Sequence, residues 1–188
     1  MMRKAIVVVM AGLGVGARAQ AGDLSILLDP GNAVFSSAED ARIWVTLRNA
    51  EPDCRPLLVD TVFARFESPR RPQTLVTLMI KDATGRIVKS THEFDATARA
   101  LQPHELVPLL CGTSYGHEVR LSGIPWSYAL RAGQYTMRAR VSVTVASFLK
   151  NRDALSQSIE SLWRATIPSP FIRDAEGESN EVTFIVGK

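Results

Sequence analysis

The sequence predicts an all-β fold, a mostly antiparallel two-layer sandwich, on three observations. Apolar and polar residues alternate with period two in several runs, turn formers separate those runs, and one segment alone carries helical periodicity. A half-buried strand shows period two because successive side chains point to opposite faces of a sheet.

The longest run is QYTMRARVSVTV. Tyr135, Met137, Ala139, Val141, Val143 and Val145 alternate there with Gln134, Thr136, Arg138, Arg140, Ser142 and Thr144. In RIWVTLRN, Ile43, Val45 and Leu47 are expected to face inward, while Arg42, Trp44, Thr46 and Arg48 face outward. Leu24, Ile26 and Leu28 suggest a first strand closed by Asp29, Pro30 and Gly31, and NEVTFIV places Val182, Phe184 and Val186 on one face of the last strand. TLVTLMIKDATGRIVKS reads as a hairpin about the turn Asp82 to Arg86. Leu106 to Leu110 and Glu118 to Leu121 are further strand candidates, and AEPDCRPLLVDTVFARFESPRRPQ reads as a long proline-bearing loop.

The exception is SFLKNRDALSQSIESLWRA. Leu155, Ile159, Leu162 and Trp163 fall at i, i+4, i+7 and i+8, one face of a helix expected to start near Asn151 or Asp153. It stands between two strong strands, so residues 147–178 are expected to form a helical insertion ending in the connector TIPSPFIRDAEGES.

Directly before the long strand, Leu130, Gly133 and Tyr135 form an L-x-x-G-x-Y motif. It resembles the tyrosine corner of immunoglobulin-like and fibronectin type III domains. There the ring packs in the core while its hydroxyl bonds to backbone a few residues upstream. With the terminal SNEVTFIV, the pattern is similar to the last two strands of bacterial exported immunoglobulin-like domains. The resemblance covers about 25 residues and implies an architecture rather than an activity. The cysteines do not stand in the strands that carry the antibody-type bridge, so this is not an antibody-type pattern.

The first 21 residues read as a cleaved signal peptide: Arg3 and Lys4 precede the apolar run AIVVVMAGLGVGA, and small residues stand at Ala17, Ala19 and Ala21. The run is too short for a spanning helix, and no second long apolar run follows it. Gly12, Gly14 and Gly16 fall inside this leader and are not a phosphate loop. Cleavage removes Arg3, Lys4 and Arg18 and no acid, so the 22 basic residues become 19 against 19 acidic ones. Net charge then gives no support to nucleic acid or an anionic membrane as partner. Residues 22–188 are long enough for a single domain with a sizeable core. In the oxidising compartment that export implies, Cys54 and Cys111 are expected to form a disulfide; neither a CxxC pair nor a nearby histidine cluster suggests metal.

Several motifs carry candidate chemistry. GTSYG, residues 112 to 116, matches the G-x-S-x-G elbow with Ser114 as nucleophile, but the elbow needs a strand, a sharp turn and a helix, followed in order by an acid and a histidine. Here His117 is the last histidine and no acid precedes it after Ser114. His92-Glu93, His104-Glu105 and His117-Glu118 are adjacent pairs, and neighbours on a strand point to opposite faces, so one pair cannot grip one ion. The expectation is a non-catalytic protein with no metal and no cofactor.

The aromatic residues point elsewhere. Trp44 on an outward face, Trp126 and Tyr128 in GIPWSYAL, and Trp163 at the end of the predicted helix are candidate flat apolar anchors, and Arg70 and Arg71, held between Pro69 and Pro72, form a stiff basic turn. The predicted function is a periplasmic or secreted binding or assembly module that uses its loops and the helix-bearing insertion to contact another envelope or extracellular protein. Alternatives are a proteinase inhibitor working through residues 66–73 or the insertion, a carbohydrate-binding module using Trp44 or Trp126, and a hydrolase using Ser114.

Overall fold

The alternating segments become strands, and the inward set of each becomes core. The computed structural model describes residues 23–61, 63–65, 72–91, 105–123, 126–150, 165 and 167–187. The expected leader, the predicted helix after Asn151, and Arg70, Arg71, His92, Glu93, His104 and Trp163 lie outside the described residues.

In chain order the strands are β1 (Leu24–Asp29), β2 (Val34–Phe35), β3 (Arg42–Asn49), β4 (Leu57–Asp60), β5 (Thr74–Asp82), β6 (Leu106–Leu109), β7 (Ser114–Arg120), β8 (Gly133–Thr144), β9 (Asp174–Glu178) and β10 (Val182–Val186). A five-residue helix α1 (Ala146–Lys150) follows β8. One sheet has the order β1-β3-β7, antiparallel throughout. A second has the order β2-β10-β8-β5, with β2 parallel to β10 and β9 pairing the far half of β8. The antiparallel pair β4-β6 is separate.

Ile43, Val45 and Leu47 of the first sheet and Val76, Ile80, Met137, Val141 and Phe184 of the second belong to one hydrophobic cluster. Withdrawing each such side chain from water favours folding by roughly 1.5–3 kcal/mol. Tyr135 joins the cluster by its ring, stacked on Phe184 at 5.5 Å between centroids. Its hydroxyl donates to the Arg131 carbonyl and accepts from the Arg131 N–H, both at 2.8 Å. The turn at the tip of β5 is held by Asp82, whose carboxylate accepts from the N–H of Thr84 at 2.8 Å and of Arg86 at 3.1 Å, with Gly85 at φ +81°.

The structure differs from the sequence reading in four places. The long loop after β3 contains β4, whose four residues are all buried, so no alternation marks it. The connector before the last strand contains β9, a polar DAEGE segment that pairs β8 beyond the end of β10. The second arm of the predicted hairpin is reduced to a bridge between Lys81 and Ile87. A short helix, α1, precedes the segment of the predicted one: it begins at Ala146, where the Asp174 carboxylate accepts from the N–H of Ala146 at 2.8 Å and of Ser147 at 3.1 Å and so caps it from another element. No described helix is long and apolar enough to cross a membrane.

Candidate functional site

The strand edges of the β1-β3-β7 sheet flank a flat outer face. On it stand Leu27 of β1, Trp44 and Thr46 of β3, and Gly116 of β7, with Leu27 opposite Thr46 and Thr46 opposite Gly116. Leu27 is 55% exposed and Trp44 45% exposed, large apolar surfaces on a face that alternation otherwise gives to polar residues. The indole leans across Gly116: a Cβ there would lie 3.6 Å from Trp44 Cε3 and 3.4 Å from Thr46 Oγ1. A glycine at this register position thus leaves room for the ring to lie against the sheet. Arg42, Arg48 and Arg120 are exposed around the patch. Glu118, directly opposite Trp44, faces Arg120 at 3.7 Å and Arg42 at 3.9 Å. Such exposed pairs add little stability and leave the guanidinium groups accessible. The face thus carries an exposed indole and an exposed leucine, with the carboxylates of Asp29 and Glu118 on the strands either side of Trp44 and three guanidinium groups around them.

Two other anchors expected on the surface are not there, and this corrects the sequence reading. Trp126 is 5% exposed and Tyr128 8% exposed, both within the core cluster. The Tyr128 hydroxyl donates to the Leu78 carbonyl at 2.9 Å, so the residue covers the outer edge of β5 instead of offering a binding surface. Burial raises the Tyr128 phenol, with nearby Arg65 opposing the shift. Leu27 and Gly116 are the members of the patch that sequence reasoning missed. An apolar residue at an outward position of LSILLD was the available signal for Leu27, whereas Gly116 stood out only as the last residue of the elbow-like GTSYG.

Ser114 opens β7 and is exposed, and the chain continues as strand where a nucleophile elbow would turn into helix. His117 and Glu118 alternate as strand neighbours must: Glu118 is on the outer face, while His117 packs inward against Phe63 at 5.2 Å between ring centroids. Burial lowers the His117 imidazole below its ordinary 6.5, against the pull of Glu118. Glu105 is buried. Among the described residues no group of three or more His, Cys, Asp or Glu is placed to hold a metal ion.

The buried polar groups cluster away from this face. Cys54 and Cys111 are joined with sulfurs 2.08 Å apart, tying the loop after β3 to the turn before β7. Beside them Glu51, 4% exposed, pairs with Arg55 and with Arg173 at 3.4 Å. Arg173 also donates to the Pro56 carbonyl at 3.0 Å and the Arg55 carbonyl at 3.1 Å, and Asn49 donates to the Arg55 and Leu109 carbonyls at 2.8 and 2.9 Å. The cluster is a clamp between loops, each charge answered by another. A groove of about 480 Å³ on the outer face of β5 and β8 is lined by Met79, Lys81, Arg138, Arg140, Glu178 and Glu181. Its two guanidinium groups form exposed ion pairs, Arg138 with Glu181 at 3.0 Å and Arg140 with Glu176 at 2.8 Å.

A scan against protein-family models finds no match to the chain, and a search of curated proteins finds none either. The site therefore stands on its geometry.

Proposed function

We propose that the chain is an exported, non-catalytic binding or assembly module that engages another envelope or extracellular protein through the Trp44 face. The observation that carries this reading is the presence of Trp44 and Leu27, both about half exposed, on one outer sheet face that also carries Arg42, Arg48 and Arg120. We further propose one immunoglobulin-like sandwich over residues 22–188, following a leader cleaved after Ala21. Support for that comes from the orders β1-β3-β7 and β2-β10-β8-β5, from the parallel β2-β10 pair, and from the Tyr135 hydroxyl bonded to Arg131. A disulfide and a leader-like first segment are compatible with the periplasm or the extracellular space.

The test is capture from an envelope extract with residues 22–188 immobilised, beside Trp44→Ala and Ser114→Ala variants. The expected result is a stoichiometric protein retained by the parent and Ser114→Ala and lost with Trp44→Ala. Equal retention by all three, or a hydrolytic activity abolished by Ser114→Ala, contradicts the reading. A second reading, carbohydrate binding, is favoured specifically by the exposed indole, since a flat ring stacks on a sugar face. Quenching of tryptophan fluorescence by soluble glycans, absent in Trp44→Ala, is its signature.

A further inference from the structure

The edges of the two larger sheets are treated unequally. Along β1, Asn180 acts as a substitute strand: its side chain accepts from the Leu28 N–H at 2.8 Å and donates to the Leu28 carbonyl at 3.2 Å, and Ser179 bridges Ile26. Along β5, Val76 donates to Ala64 at 2.7 Å, Tyr128 covers the Leu78 carbonyl, and Val88 donates to Ile80 at 2.9 Å. Among the described residues β7 has no such cover. Its partner among the described strands is β3 alone, and bonds from Asn49 N to Thr113 O and from Leu121 N to Ala41 O set the phase of that ladder. Odd residues of β7 therefore bond β3, and the N–H and C=O of even residues point away from the sheet. Among the described residues nothing bonds the backbone of Ser114, Gly116 or Glu118. An uncovered edge of this kind is a template for another strand.

We infer that two copies of the chain associate by pairing their β7 strands antiparallel about Gly116. The open stretch is self-complementary about that residue. In the register that sets Gly116 against its own copy, Ser114 of each chain meets Glu118 of the other, and every open backbone group finds a partner, two hydrogen bonds in each pair. The side chains suit the same register. Glycine at the centre puts no side chains against each other across the two-fold axis, and no like charges stand directly opposite. Each Glu118 lies one strand from the other copy's Arg48, which is paired with Ser114 on β3. The result is a continuous sheet, β1-β3-β7 run twice, with two Trp44 patches side by side on one face. This inference is independent of the binding reading, because it rests on the strand edge and not on the sheet face.

Sedimentation velocity on residues 22–188, from low micromolar to submillimolar concentration, combined with amide exchange, tests it. The expected result is a monomer–dimer equilibrium in which exchange at Ser114, Gly116 and Glu118 slows as concentration rises. Gly116→Pro removes the central donor while leaving the β3 ladder whole, since that N–H points to the open edge and Gly116 carries no positive φ. It should weaken association by about tenfold or more. Glu118→Arg, which brings a like charge to within one strand of the other copy's Arg48, should weaken it as well and guards against misfolding of the proline variant. A chain monomeric at every concentration overturns the inference, as does a dimer that both folded variants preserve. Slowed exchange at these amides only on adding an extended peptide would overturn self-pairing and give the edge to a foreign strand.

Discussion

Tyr135 places two roles on one residue. Its ring fills the core against Phe184, and its hydroxyl satisfies both backbone groups of Arg131. Tyr135→Phe keeps the ring and strands those two groups, so it should lower the unfolding free energy by about 1–3 kcal/mol. Urea denaturation of the parent and the variant checks this, and an unchanged midpoint would show that the corner is not a constraint. Trp44 is the converse case. Its indole is half exposed and makes no contribution of this kind to the core, so its truncation is expected to alter recognition far more than stability. Both residues were legible in the sequence, Tyr135 by its motif and Trp44 by alternation. Trp126 and Tyr128 were not, because their burial comes from packing into a core whose other residues are remote in the chain, such as Leu78 for Tyr128, which no local pattern records.

At the scale of elements, the half-buried strands β1, β3, β8 and β10 were legible because one face meets the core and the other meets water. β4 was not, because both its faces are covered and LLVD carries no period. β9 was not, because its polar residues pair with β8 only where β10 stops short of residues 140–144. Charge then holds what hydrophobic pattern does not specify. Burial pushes the Glu51 carboxyl up, but the hydrogen bond from Arg55 and the charge of Arg173 outweigh it and hold Glu51 below its ordinary 4.5. A carboxyl lowered on folding stabilises the native state above its unfolded value, and that contribution is lost as pH falls through the native one. Arg173→Ala should therefore lower the melting temperature most at neutral pH, and the gap to the parent should narrow as pH falls below 4.5. Melting curves across that range check it; a gap independent of pH would mean that Arg173 acts through packing alone.

For the whole molecule, the two larger sheets bury their inner faces in one cluster and leave two outer faces of different character. On the β5-β8 face Arg138 and Arg140 pair with Glu181 and Glu176, whereas the β1-β3-β7 face carries an exposed indole and leucine beside a strand edge that is open among the described residues. Alternation made the all-β class legible but not this difference, since Leu27, Trp44 and Gly116 come from three strands and meet only once the sheet has formed. The central claim, that the Trp44 face is covered by a partner in the envelope, is tested most directly by oxidative footprinting. Residues 22–188 are labelled in buffer and in an envelope extract at the same chain concentration, so that self-association contributes equally to both. The account predicts that Trp44 is modified in buffer and protected in extract, while an exposed residue of the other sheet, Met79, is modified equally in both. Modification of Trp44 to the same extent in the two samples would contradict it.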